Sequence, residues 1–247
     1  MNFLNKVVII LGSEGKIGKA FTRHIIKNGG SVSAVDKKKI KKKFPKNNYL
    51  YQSEDIEKIN SLKKIIKSTK DKFKKIDCVI NCSYPKRNQS KSLKDLNLND
   101  LKKNISSHLG TSIIICKIFS DYYKKQGFGK IILLGSIQGL ASPKFFHYKN
   151  TNMYSPIEYT ANKHALIGIV KYFAKLYGKY NIQINSINPG GIINNQNKKF
   201  LKKYKSSCST KGMLNTLDLL TTLEYLLDER SNLIIGQNLI VDDGWSL

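Results

Sequence analysis

The feature that most constrains this chain is an unbroken apolar run, Lys6-Val-Val-Ile-Ile-Leu-Gly12, that passes straight into Gly12-Ser-Glu-Gly15-Lys-Ile-Gly18. A run of this kind, with no polar alternation, predicts a strand buried on both faces of a parallel sheet. Beyond the glycines, Ile17, Ala20, Phe21, Ile25 and Ile26 recur at helical spacing, so the segment reads as strand, tight turn and helix. Glycines there permit the turn and let the backbone approach a pyrophosphate, whose charge is met by free amides at the helix N-terminus.

The remainder of the chain repeats the alternation. Strand-like runs follow at 31–36, 48–52, 76–81, 130–134, 182–187 and 238–241, and helical patterns separate nearly all of them, the longest over 100–125 and 156–177. This order predicts an α/β protein with a doubly wound, mostly parallel seven-stranded sheet and helices on both faces. With 247 residues, 40% of them hydrophobic, and no internal repeat or Pro/Gly/Ser-rich linker, a single domain over 1–247 is expected. The second run, Ser31-Val-Ser-Ala-Val-Asp36, ends in a carboxylate. An acid at this point can accept hydrogen bonds from adenosine ribose hydroxyls and would repel a 2′-phosphate, which favours NAD over NADP. The lysine-rich stretch 37–43 keeps NADP open, because one lysine could pair with that phosphate.

The formal net charge of +26 raises the question of nucleic acid. The lysines, however, are scattered through every predicted helix and loop, with no zinc spacing, basic heptad array or RNA-binding aromatic signature beside them. No specific nucleic-acid partner and no metal are expected; weak attraction to phosphorylated or nucleotide-linked substrates is. Cys78, Cys82, Cys116 and Cys208 form no Cys-x-x-Cys pair and read as small core residues in a reducing compartment. The first six residues are too short and polar for a signal peptide, and no apolar stretch is long enough to span a bilayer, so a cytoplasmic location is expected.

Tyr159 and Lys163 lie four apart in a helical pattern, which places the ammonium beside the phenol, where it would favour the ionised form and make the tyrosine a usable acid or base. Ser136 follows the run Gly129-Lys-Ile-Ile-Leu-Leu-Gly, at the carboxyl end of a strand, where open α/β sheets hold their ligands. At these residues the chain resembles the short-chain dehydrogenase/reductase family, over essentially its whole length. The ordered matches are Gly12, Gly15 and Gly18, Asp36, Asp55, Asn81, Ser136, Tyr159 with Lys163, Asn188-Pro-Gly-Gly191 and the ending Gly236-Gln-Asn-Leu-Ile-Val-Asp-Asp-Gly244. The resemblance implies a Rossmann-type fold and an NAD(P)-dependent enzyme acting on a CH-OH group. Ser136 and Tyr159 would hold the substrate oxygen, Tyr159 would exchange its proton, and Lys163 would lower the tyrosine pKa and bind the nicotinamide ribose. Gly12, Ser13, Gly15, Lys16, Ile17 and Gly18 would take the phosphates, Asp36, Asp55 and Ile56 the adenosine end, and Asn81, Pro189, Gly190 and Ile192 the nicotinamide side.

Three departures stand out: Lys16 takes the usual place of the middle glycine, His108 falls where the family carries a catalytic asparagine, and the chain ends Val-Asp-Asp-Gly-Trp instead of Val-Asp-Gly-Gly. An imidazole at 108 titrating near neutrality would add a proton-shuttling group; a packed helix histidine is the alternative. Within the family, the oxidoreductases of flagellin modification and nonulosonic (legionaminic) acid sugars look closer still, through Ser83-Tyr-Pro85, His108-Leu-Gly110, the segment 142–159, 189–196 and Lys211-Gly-Met213. That segment carries Lys144, His147, Tyr148, Lys149, Asn150 and Asn152, suited to a polyhydroxylated or phosphorylated sugar. The polar stretch 194–211, with few apolar anchors, reads as a substrate lid within about 191–215. The expectation is therefore hydroxyl–carbonyl interconversion on a sugar or sugar nucleotide in surface-glycan or flagellin-glycan biosynthesis. Two alternatives remain: a 3-oxoacyl thioester reductase and a non-catalytic dinucleotide-binding protein. Helices 107–123 and 159–177 are apolar on more than one face, and the family pairs through these helices, so a homodimer or homotetramer is expected.

Overall fold

The opening apolar run forms strand β1 (Val7–Leu11), all of it buried, and Lys16–Lys27 forms helix α1 directly after the glycine turn. The computed structural model describes residues 3–38, 44–84 and 92–247. The succeeding elements are β2 (Ser31–Asp36), β3 (Tyr49–Ser53), α2 (Ile59–Phe73), β4 (Cys78–Asn81), α3 (Leu98–Ile105), α4 (Thr111–Gln126), β5 (Gly129–Leu134), α5 (Ile157–Tyr177), β6 (Ile182–Pro189), α6 (Lys198–Lys205), α7 (Leu220–Leu227) and β7 (Asn238–Val241). All seven strands lie in one sheet in the order β3-β2-β1-β4-β5-β6-β7, and every pairing is parallel.

Successive residues of β1 show why the run had to be apolar throughout. Val8 and Ile10 enter the core with Phe21 and Ile25 of α1 and Leu219, Leu223 and Leu226 near α7. Ile9 and Leu11 face the other way, into the core built with Leu62 and Ile65 of α2, Phe119 and Tyr123 of α4 and Leu166 and Val170 of α5. The winding reverses between β1 and β4, and the carboxyl ends on either side of that point leave a crevice. Gly12 stands at its edge with φ of +76°, and a Cβ there would lie 2.8 Å from the Ser83 amide nitrogen, so both conformation and space require glycine.

The continuous helix expected over 100–125 is interrupted. Ser106–Gly110 forms a π-turn between α3 and α4, carrying His108 inward. Such bulges admit an extra residue at no break in the chain direction and concentrate near functional sites. A single-sequence periodicity cannot register a one-residue insertion in a helix whose polar and apolar faces both continue past it. On α4 and α5 the second apolar face is present: Ile113, Tyr172 and Leu176 are exposed, whereas Ile115, Phe119, Leu166 and Val170 are buried. The four cysteines are free thiols. Among the described residues, no helix is long and apolar enough to cross a membrane.

Candidate active site

A cleft of about 900 Å³ runs over the carboxyl ends of the strands. Its first half is the turn after β1. Gly15 caps α1 without a side-chain hydrogen bond and no acid occupies the first helical turn, so the amides there face the cleft uncompensated. Gly12, Gly15, Lys16 and Ile17 line this end, with Asp36 and Ile56 beyond them. The Asp36 carboxylate accepts from the Glu14 amide at 3.1 Å and the Lys38 amide at 3.3 Å, which fixes it at the tip of β2. Lys37 pairs with Asp55 at 3.0 Å and Glu57 at 2.7 Å. Burial works against its charge, but the two carboxylates outweigh it and hold the ammonium above its usual range. Lys37 is thus paired with carboxylates, Lys38 lines the cleft beside it, and residues 39–43 of the same stretch lie outside the described residues.

The second half is built by β5, α5 and β6. Ser136 ends the loop after β5; its amide is held by the Asn188 side chain at 3.3 Å and its hydroxyl accepts from the Gln138 amide at 3.2 Å. The turn Ile137–Gly139 packs directly on α5, where a Cβ on Gly139 would fall 2.5 Å from the Lys163 carbonyl oxygen. This close approach brings Ser136 within hydrogen-bond reach of the Tyr159 phenol. Lys163, one turn along α5, is buried, donates to the Leu134 carbonyl at 2.7 Å, and lies 5.7 Å from the centre of the Tyr159 ring. Pro189, Gly190 and Ile192 close the far wall.

Electrostatics here correct one expectation. Burial is the dominant influence on both partners: it raises the Tyr159 phenol above its ordinary value, the Ser136 hydrogen bond pulling only partly the other way. It also lowers the Lys163 ammonium to about 7. Desolvation disfavours each charged form, so in this state the lysine does not drive the phenol to ionise; both neutral forms gain. His108 is corrected too. It is buried at 4% exposure, and desolvation, with Lys163 nearby, pushes it down to about 3, so it stays neutral across the physiological range and does not titrate near neutrality.

Five residues expected at the cleft do not line it. His108 sits behind Tyr84, whose ring it meets edge-on at 4.8 Å. Gly18 serves packing, since a Cβ there would lie 2.3 Å from the Gly12 carbonyl oxygen. Ser13 is buried and its hydroxyl has no hydrogen-bond partner among the described residues. Asp55 spends its carboxylate on Lys37 and on the Glu57 amide at 3.1 Å, leaving its neighbour Ile56 on the wall. Asn81 accepts from the Ser83 amide at 3.1 Å and its hydroxyl at 2.6 Å, shaping the loop beneath the cleft.

The segment before α5 and the packing of 194–211 also differ from expectation. Lys144 donates to the Trp245 carbonyl at 2.8 Å, and His147 is buried against Ser207 at 2.9 Å; burial, then Lys144 and Lys203, lowers its imidazole to about 4. The Lys149 carbonyl is bonded by Lys203. Lys144 and His147 are thus tied to the C-terminal turn and to the chain just after α6, and of the six residues read as sugar ligands, His147 and Tyr148 reach the cleft. The stretch 194–211, expected to have few apolar anchors, has two: Phe200 and Tyr204 are buried with Ile137, Met213 and Trp245 in a small core of their own. Tyr204 stacks on Trp245 at 5.8 Å and its hydroxyl accepts from the Gly191 amide at 2.7 Å. Lysines dominate α6 by number, but at helical spacing two aromatics suffice to bury one face.

Residues missed at sequence level are Tyr84, Gln138, Ser155 and Trp245. Tyr84 lies edge-on to Tyr159 at 5.0 Å, and Lys163 approaches its ring at 5.3 Å. Gln138 accepts from Ser155 and Thr160, each at 2.9 Å, bracing the loop after Ser136 against α5. An aromatic directly after the polar turn of β4 was the available signal for Tyr84; Pro85, beside it, lies outside the described residues.

Comparison with known proteins agrees with this geometry. A family model described as short chain dehydrogenase matches residues 6–205. The chain is 35% identical to post-translational flagellin modification protein A of Campylobacter coli, over 98% of this chain and 99% of that protein. It is 28% identical to a 7alpha-hydroxysteroid dehydrogenase of Bacteroides fragilis, over 99% of this chain and 96% of that one. Among solved structures, a short chain dehydrogenase from Leptospira borgpetersenii with bound NAD+ superposes with a TM-score of 0.90 at 26% identity, covering 100% of this chain and 94% of that one.

Proposed function

The chain belongs to the short-chain dehydrogenase family, and from that premise we propose that it is an NAD-dependent oxidoreductase interconverting a hydroxyl and a carbonyl on a sugar or sugar nucleotide in surface-glycan or flagellin-glycan biosynthesis. The observation that carries the chemistry is the convergence of Ser136, Tyr159 and Lys163 on one cleft with the glycine turn at its other end. The residues fit a dinucleotide: α1 starts with neither a side-chain cap nor an acid in its first turn, Gly12, Gly15, Lys16 and Ile17 line the cleft there, and Asp36 lines it at the tip of β2. Gly15, Lys16 and Ile17 would hold the phosphates, Asp36 the adenosine ribose, and Lys163 the nicotinamide ribose. NAD supplies the hydride acceptor, or its reduced form the donor.

The chain's own groups supply the rest. Ser136 and Tyr159 position the substrate oxygen between two hydroxyls, and the phenol, protonated at neutral pH because burial raises it, is able to give that oxygen a proton as hydride arrives. Giving up that proton leaves a phenolate, whose charge the Lys163 ammonium stabilises, and in the oxidative direction this phenolate takes the proton of the substrate hydroxyl. Aromatic and amide-bearing walls, Tyr148, Tyr154, Trp245, Asn194 and Gln196, support a ring-shaped polyol, whose C–H faces pack on aromatics and whose hydroxyls need partners. The similarity to a flagellin modification protein supports the glycan context. Paired α4 and α5 helices, with Ile113, Tyr172 and Leu176 outward, support a homodimer or a tetramer built from dimers.

The test is a turnover panel of sugar phosphates, nucleotide sugars and a 3-oxoacyl thioester with both nicotinamide cofactors, read by absorbance of the reduced ring. Turnover of a sugar arm with NAD is expected. Turnover confined to the thioester, or NAD binding with no turnover of any sugar, would overturn the reading.

A further inference from the structure

The departure at the C-terminus, Val241-Asp-Asp-Gly-Trp245, is explained by neither the fold nor the cofactor. Asp243 has φ of +56°, a left-handed conformation in which glycine would be at ease and a side chain is strained. Its carboxylate shows what offsets that strain. It accepts from the Thr210 hydroxyl at 2.6 Å and from three successive amides, Thr210 at 3.1 Å, Lys211 at 2.7 Å and Gly212 at 2.7 Å. Successive amides that turn inward at a left-handed residue, here Gly212 with φ of +92°, form a concave anion nest. The chain fills this one with its own carboxylate. The Asp243 carbonyl adds a bond from the Ser209 amide at 2.7 Å.

What this knot holds in place is the substrate end of the cleft. Directly after Gly212 come Met213, which lines the cleft, and Leu214, which bridges to Ile192, donating to the Gly191 carbonyl at 2.8 Å and accepting from the Ile193 amide at 2.9 Å. On the other side of the knot Trp245 lies buried against Tyr204. Asp242 accepts from the Gly244 amide at 3.0 Å and the Ser246 amide at 2.8 Å, so the tail turns back over α6.

We propose that Asp243 is a positioning residue: its carboxylate ties the returning limb of the lid, residues 209–213, to the C-terminal turn and thereby sets the wall that Met213, Tyr204 and Trp245 present to the substrate. The claim that this wall meets substrate rests on the oxidoreductase reading; the tie itself does not. The charge suits the role, because a carboxylate binds several amides at once with charge-assisted bonds that a neutral side chain cannot match. Its pull is visible in the carboxyl itself, held at about 2, first by the Thr210 hydroxyl and then by the Gly212 amide.

Trp245 is the chain's single tryptophan, so intrinsic fluorescence reads the wall directly. The experiment compares the full-length protein with Asp243→Gly, which keeps the backbone conformation, and Asp243→Asn, which keeps one acceptor oxygen. Hydrogen exchange by mass spectrometry should show amides of 209–213 exchanging at least about tenfold faster in Asp243→Gly, with an intermediate rate in Asp243→Asn. Acrylamide should quench Trp245 more strongly in the same order, while exchange in β1 and β5, the unfolding midpoint and the affinity for NAD stay at wild-type values. Wild-type exchange and quenching in both variants would overturn the proposal, and so would faster exchange spread evenly over the sheet. Neither measurement needs turnover, so its failure is distinguishable from failure of the sugar panel.

Discussion

Lys163→Met should stabilise this protein while destroying its catalysis, and the gain should depend on pH in a way that only a buried ammonium produces. Lys163 is 4% exposed, with one hydrogen bond, to the Leu134 carbonyl at 2.7 Å. Its ammonium falls from 10.5 to about 7, burial being the cause. Because the folded value lies below the unfolded one, the native state carries the full penalty below pH 7, sheds it between pH 7 and 10.5 by releasing the proton, and carries none above. At about 1.4 kcal/mol per pH unit, that interval costs the native state about 5 kcal/mol at pH 6. Methionine removes the charge in a similar volume but leaves the Leu134 carbonyl without its donor, a loss of about 2 kcal/mol. The variant should therefore be about 3 kcal/mol more stable at pH 6, equal near pH 9, and about 1 kcal/mol less stable at pH 10. Urea unfolding at these three pH values, followed by circular dichroism, measures the difference. A variant no more stable than wild type at pH 6, or a difference that does not change with pH, would refute the account of Lys163 as a charge held at a cost for function.

Tyr159→Phe removes the phenolic hydroxyl, and with it the exchangeable proton, and should lower turnover about 10²–10⁴-fold while NAD binding by calorimetry stays near wild type; unchanged turnover would remove the tyrosine from the proton transfer. Asp36→Ser should improve NADP use relative to NAD, read as the ratio of kcat/KM values, because it deletes the carboxylate that repels a 2′-phosphate while Lys37 remains engaged by Asp55 and Glu57. A wild-type protein that already titrates more tightly with NADP would contradict that argument. Light scattering at micromolar concentration should give at least twice the chain mass; a monomer would mean that the outer face carrying Ile113, Tyr172 and Leu176 has no self-complement.

The sequence by itself determined the parts that depend on short-range pattern. An apolar run can be satisfied only by cover on both faces, as β1 is, and the glycines after it are demanded by a turn that leaves no room for side chains, as Gly12 and Gly18 demonstrate. The Tyr159–Lys163 spacing likewise fixed their common helical face, and Ser136 followed from its place after a buried strand. Only the tertiary structure decided what those groups experience. Burial from several elements at once sets the protonation of Tyr159, Lys163 and His108, and no local pattern records how much solvent each loses. The same holds for the polar stretch after β6. Lysines made 194–211 look unanchored, yet Phe200 and Tyr204 found partners in Ile137 and Trp245, and Asp243 found the amides of 210–212 more than thirty positions earlier. Contacts of that separation are chosen by how the layers close around the cleft, because each is worth forming only after the sheet has brought both partners to the same edge.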